Sequence, residues 1–166
     1  MPSKRLLKAM YAKNPDGMGF VSESDYFRTM DFEEFYKRLK NVPDEENCII
    51  HFRWATHGSI KVSNCHPFHE NGVYFAHNGI LSIPSVNDKT DSEICFRNKI
   101  MPMIEVFGLD ECEEYIDRLR ESSRFAIMKD GEIHMYGCYQ EMDGIYYSNL
   151  LFLPYCYKST RRYMYA

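Results

Sequence analysis

Two strand-forming runs joined by an Asp-Gly turn constrain this chain most. Arg124–Met128 and Glu132–Tyr136 flank Lys129-Asp130-Gly131. A type I′ turn needs positive φ at both central residues, and Asp-Gly supplies that at low cost, so the segment reads as a β-hairpin. Upstream, Cys48–Phe52 and Val73–Ala76 are short apolar runs between polar loops, which suits buried strands. Gly17–Val21 reads as a loop entering a strand, and Tyr146–Leu153 as a last strand.

Helical patterns separate these runs. Ser3 can cap a helix over 3–12 that carries Leu6, Leu7, Met10 and Tyr11 on one face, before Asn14-Pro15-Asp16-Gly17 ends it. Asp31 with Glu34 resembles a capping box ahead of Phe32, Phe35, Tyr36 and Leu39. Asp91 can cap a helix with Ile94, Cys95, Asn98 and Met101 inward, and Asp110 one with Tyr115, Ile116 and Leu119 inward. The order of elements predicts a layered α+β fold with mixed or antiparallel sheets. A length of 166 residues, without repeats or linkers, predicts one domain over 1–166. The 13 tyrosines and 11 phenylalanines suit a β-rich core.

A net charge of −4 argues against the broad basic field of a nucleic-acid binder. Every apolar run is too short to span a membrane, and the start lacks the apolar stretch of a signal peptide. The six cysteines are scattered singly with no CxxC pair, which predicts reduced thiols and a cytoplasmic location.

Residues 51–93 carry five of the six histidines and the only tryptophan. Arg53 leaves the end of a buried strand, where its forked guanidinium suits a carboxylate. Closing the strand end against a nearby acid is an equally good account. Asn78-Gly79 follows another strand, and an Asn amide beside an exposed backbone N–H makes a two-donor oxyanion hole. The same dipeptide is also a common turn. Asp91 opens a helix, either as its cap or as a carboxylate aimed at a ligand ammonium. The His-rich stretch, with Cys65 and His69, could bind a metal, although its spacing matches no compact zinc pattern.

Together these pieces resemble a known family. His51-Phe52-Arg53-Trp54-Ala55-Thr56-His57-Gly58, then Asn64-Cys65-His66-Pro67, Ala76-His77-Asn78-Gly79-Ile80 and Thr90-Asp91-Ser92-Glu93 follow the order of the class II glutamine amidotransferase signature. Asn14-Pro15-Asp16-Gly17-Met18-Gly19 is similar to the loop preceding those motifs, so the likeness covers about residues 3–100. The short span from Gly79 to Asp91 resembles small stand-alone forms encoded by bacteriophages, which would place the protein in a host cytoplasm.

The resemblance implies the four-layer αββα sandwich of N-terminal-nucleophile hydrolases, with the first strand missing. It implies glutamine as the ligand, hydrolysis of its side-chain amide to release ammonia, no cofactor, and a separate ammonia-accepting synthase as partner. Arg53 would hold the α-carboxylate and Asp91 the α-ammonium. Asn78 and Gly79 would form the oxyanion hole, and Thr56 and His57 would line the substrate loop.

One position departs from the family, whose nucleophile is a cysteine directly after the initiator methionine. Its thiol attacks and its own α-amine serves as base. Here the sequence reads Met1-Pro2-Ser3. A start at an internal methionine that drops a short leader is the favoured explanation. A pseudoenzyme that still binds an amino acid, and an internal replacement by Cys65, are the alternatives. The run from Tyr155 to Tyr163 mixes aromatics with cations, as single-strand binders do, but reads better as a packed strand with a basic tail.

Overall fold

The computed structural model describes residues 1–56 and 58–154. Helix α1 (Lys4–Lys13) starts at Ser3, whose hydroxyl accepts the Leu6 N–H at 3.3 Å. Strands β1 (Met18–Ser22) and β2 (Tyr26–Thr29) follow, then helix α2 (Phe32–Leu39) and strand β3 (Cys48–Phe52). These strands form an antiparallel sheet in the order β2-β1-β3.

Strands β4 (Phe68–Glu70) and β5 (Val73–Asn78) come next. A long helical stretch then runs from α3 (Asp91–Cys95) through a π-helical turn at Phe96–Ile100 into α4 (Met101–Phe107). Helix α5 (Glu113–Leu119) leads to the hairpin β6 (Arg124–Lys129) and β7 (Glu132–Tyr136). The second sheet is antiparallel in the order β4-β5-β6-β7. Asp130 and Gly131 take φ of 52° and 83°, the left-handed pair that a type I′ turn requires.

Strand alternation divides the core into three clusters. Met18 and Phe20 of β1 join Leu7 of α1 and Phe32, Phe35 and Leu39 of α2 on one face of the first sheet. Val21 and Ile49 point the other way and meet Ala76, Ala126 and Met128 of the second sheet. The opposite face of that second sheet sends Val73, Phe75, Phe125, Ile127 and Tyr136 against Cys95, Phe96, Ile100, Ile104 and Ile116. The fold is α+β, as the sequence predicts.

Several local expectations need correction. The last strand is shorter than Tyr146–Leu153: β8 (Gln140–Met142) and β9 (Ile145–Tyr147) form a small separate hairpin. Helix α3 is capped by Thr90, whose hydroxyl accepts the Glu93 N–H at 3.1 Å, so Asp91 is the first helical residue and not the cap. The π turn rotates the buried face, which puts Phe96 and Ile100 inward and leaves Asn98 exposed. Asp110 sits in a short 3-10 turn, and no side chain caps α5. The capping box at α2 is indirect. Asp31 accepts the Glu34 N–H at 2.8 Å, while the Glu34 carboxylate takes the Thr29 hydroxyl at 2.7 Å, and that hydroxyl accepts the Asp31 N–H at 3.1 Å.

Candidate active site

Arg53 lies just beyond β3 and is buried at 3% exposure. Its backbone is fastened to the 14–17 loop: the Arg53 N–H donates to the Gly17 carbonyl at 2.8 Å, and the Asp16 N–H donates back to the Arg53 carbonyl at 3.0 Å. Asp16 also accepts the Ala55 N–H at 2.8 Å. Gly17 takes φ 111°, and a Cβ there would lie 2.3 Å from the Cys65 sulfur, so only glycine fits. The sequence places this loop next to Arg53 only through the family likeness.

The Arg53 guanidinium donates to the Ser59 carbonyl at 3.2 Å. Buried Asn64 donates to the same carbonyl at 2.9 Å and to the Asp88 carbonyl at 3.3 Å. Asp88 braces this loop further, accepting the Ser59 N–H at 2.9 Å and the Ser59 hydroxyl at 2.8 Å, and pairing with Lys61. The Lys61 hydrogen bond and the two Ser59 bonds hold the Asp88 carboxyl down to about 2. Sequence reading missed Asp88. Its signal was Asn87-Asp88 between Val86 and Lys89, where φ of 52° and 63° makes a tight turn.

Asn78 ends β5 and pairs with Arg124 at the start of β6. Gly79 then takes φ 145°, and a Cβ there would lie 2.3 Å from the Ser123 hydroxyl oxygen. Asn78 is not among the non-glycine residues with positive φ, so Asn78-Gly79 is not a type I′ turn. Gly79 is exposed and Asn78 half-buried, which leaves this corner of the backbone approachable.

Asp91 is buried at 5% exposure. One carboxylate oxygen accepts the Leu81 N–H at 2.9 Å; the other accepts the Ser92 N–H at 2.9 Å and the Ser92 hydroxyl at 3.3 Å. The structure therefore joins Asp91 directly to the loop that follows Asn78-Gly79. Gly58 lies close to the start of α3, because a Cβ there would meet the Asn64 amide and the Thr90 methyl at 3.1 Å each. The His51 ring also bonds the His77 carbonyl at 3.0 Å, clamping the ends of β3 and β5 together. Thr56 is exposed on the loop between Arg53 and Gly58. His57 and the run from Tyr155 to Tyr163 lie outside the described residues.

Three buried imidazoles underlie the site. The His51 and His66 rings are 4.3 Å apart, and those of His66 and His77 are 6.4 Å apart. Burial pushes His51 and His77 down to about 4 and His66 well below its ordinary value. Among the described residues, no three His, Cys, Asp or Glu side chains converge as a metal site requires. Cys65 and His66 point apart: the thiol contacts Met30 and the Lys61 carbonyl, while the ring packs on His51 and Phe68. Burial raises the Cys65 thiol, and it pushes Cys48 and Cys95 up to about 12.

A groove of about 820 Å³ opens between the sheets. All five residues of β3 line it, together with Ala76, His77, Asn78, Arg124, Ala126, Ile133, Met135 and Met1. It reaches Asn78 but is not lined by Arg53 or Asp91.

A family model for class II glutamine amidotransferases matches residues 34–135, more than half of the 166-residue chain. The chain belongs to this family. Matched relatives include the glutamine–fructose-6-phosphate aminotransferase (isomerizing) of Mesorhizobium japonicum, 48% identical over 46 residues. That alignment covers 27% of this chain and 8% of the relative. The enzyme of the same name from Xylella fastidiosa is 52% identical over 33 residues, covering 20% of this chain and 5% of the relative. A putative counterpart in Saccharomyces cerevisiae is 28% identical over 93 residues, covering 46% of this chain and 30% of the relative. The matches thus span less than a third of these relatives' lengths. Among the described residues, no helix is long and apolar enough to cross a membrane.

Proposed function

We propose that residues 1–166 form a single glutaminase-type domain with the four-layer αββα sandwich of N-terminal-nucleophile hydrolases, in the cytoplasm, and that it binds glutamine. What supports this reading is buried Asp91 accepting the Leu81 N–H just beyond the Asn78-Gly79 corner, together with a buried Arg53 at the end of β3. A zwitterionic amino acid needs one fixed cation and one fixed anion, and an amide carbonyl under attack needs two donors. Arg53 takes the α-carboxylate and Asp91 the α-ammonium. The Asn78 amide and the Gly79 N–H take the oxyanion, and Thr56 and His57 border the ligand.

In this reading the thiol is not that of Cys65, which is buried against Met30 and the Lys61 carbonyl and raised by that burial away from the reactive thiolate. It is supplied instead by an N-terminal cysteine on a strand laid along the open edge of β3 in the groove. The thiol would attack the glutamine side-chain carbonyl with the terminal amine as base, ammonia would leave as the C–N bond breaks and the thioester forms, and water would then release glutamate and free the thiol. The ammonia released passes to a separate synthase.

Calorimetry with L-glutamine and an ammonia assay, with and without a Met-Cys leader, test the reading. The expected result is binding by both forms and ammonia release by the leader form alone. Binding without release in the leader form would make this an amino-acid-binding protein. No binding by either folded form would reject the site.

A further inference from the structure

We infer that His77 and Ser92 are positioning residues, aiming the Asp91 carboxylate through a buried hydrogen-bond relay. The inference rests on the reading of Asp91 as the ligand for an α-ammonium group.

His77 Nδ1 lies 2.7 Å from the Ser92 hydroxyl oxygen, and that hydroxyl lies 3.3 Å from an Asp91 oxygen. All three side chains are buried, at 4%, 3% and 5% exposure. A serine hydroxyl has one proton to give. Given to Asp91, it leaves the serine oxygen as acceptor, so His77 must donate from Nδ1. Nε2 is then the bare nitrogen. It is the ring atom with no hydrogen-bond partner among the described residues, and the ring packs edge-on to Phe125 at 5.3 Å. The tautomer thus follows from the network.

The relay fixes one Asp91 oxygen through Ser92, and the Leu81 N–H fixes the other. An ionised carboxylate offers about four acceptor sites. Among the described residues three are occupied, and the fourth is left for a ligand N–H. Burial keeps the His77 ring neutral down to about pH 4 against the pull of Asp91 and Glu121. A neutral ring can orient Asp91 without competing with a ligand cation for its charge.

The test uses the full chain and L-glutamine in calorimetry, with the fold of every variant checked by thermal melting. Ser92→Ala and His77→Phe each remove one neutral hydrogen bond of the relay and should weaken binding up to about tenfold. His77→Asn places an amide N–H near the position of Nδ1–H and should keep affinity within about threefold. Nitrogen-15 spectra of histidine-labelled protein should show His77 protonated on Nδ1, and Ser92→Ala should disturb that tautomer.

If the wild type binds and Ser92→Ala binds equally well, the relay is overturned and the amino-acid site stands. If His77→Asn loses as much as His77→Phe, His77 acts by packing alone and the inference fails. If the folded wild type binds no glutamine, the reading of Asp91 falls and the positioning role falls with it.

Discussion

At the scale of single residues, Asp91 is where a substitution must be chosen with care. Because Thr90 caps α3, Thr90→Ala should lower stability by about 1 kcal/mol in chemical denaturation. Asp91→Ala does something different: it strands the buried Leu81 and Ser92 donors, which costs about 1–3 kcal/mol before any ligand is considered. Asp91→Asn removes the charge and keeps an acceptor for only one of these two sets of donors, turning its NH2 toward the other. It should weaken glutamine binding by more than about tenfold, as should Arg53→Ala, since truncating one side of a desolvated charge pair costs about 2–5 kcal/mol. Asn78→Ala should change ground-state binding little, because an oxyanion hole serves charge that develops in the transition state. Calorimetry on the three variants checks the contrast. Equal losses at Asn78 and Arg53 would count against these roles.

At the scale of elements, what was legible followed from local rules. The 124–136 hairpin, the Ser3 and Asp31 caps and β3 at Cys48–Phe52 were readable because turn chemistry, capping and apolar runs act within a few residues. The rotated face beyond α3 was not readable, since the π turn at Phe96–Ile100 breaks the 3.6-residue period on which the inward positions were counted. Strands β2 and β4 are four and three residues long and are defined by their partners more than by their own pattern. Of the proposed site, Arg53, Asn78, Gly79 and Asp91 could be named from motif order. The contacts of Asp88, Ser92 and His77 could not, because they are tertiary.

The seam between β3 and β5 carries a pH prediction. His51, His66 and His77 all titrate below their ordinary value in the fold, with burial as the leading cause; Arg53 and Arg28 add repulsion at His66, while Asp91 and Glu121 oppose it at His77. The unfolded chain therefore takes up protons first. Stability is complete above about pH 6.5, the unfolded histidine value, and falls as pH drops toward 4. Each histidine contributes a slope of up to about 1.4 kcal/mol per pH unit. Urea denaturation from pH 7.5 to 5 should show the decline, and His66→Leu should flatten it by about one proton. An unchanged slope in His66→Leu would show that His66 is not among the groups that charge on unfolding.

At the scale of the whole molecule, the edge of β3 that faces the groove is where a further strand could pair. The Arg53 N–H and carbonyl both point toward the 16–17 segment, so alternation turns the main-chain groups of His51 and Ile49 toward β1 and those of Cys48, Ile50 and Phe52 away from it. Strand β3 pairs with β1 alone among the described strands, and its other edge opens on the groove. An extended leader opposite five residues spans roughly 17 Å. Met1 already sits at the Cys48 end, its amino group 3.3 Å from Asp44, so a leader running antiparallel to β3 into Met1 would start near Asn78. Its inward side chains would face Ala76 and Ala126, small residues that leave room for them. In residues 1–166 alone, the Cys48, Ile50 and Phe52 amides should exchange with solvent faster than those of Ile49 and His51. A fused Met-Cys leader with alternating apolar residues should slow all three, raise the melting temperature and start ammonia release from glutamine. Strong protection of Ile50 and Phe52 in residues 1–166 alone would mean that β3 has no open edge. Ammonia release by that chain, abolished by Cys65→Ala, would move the nucleophile inside the fold and overturn the strand account.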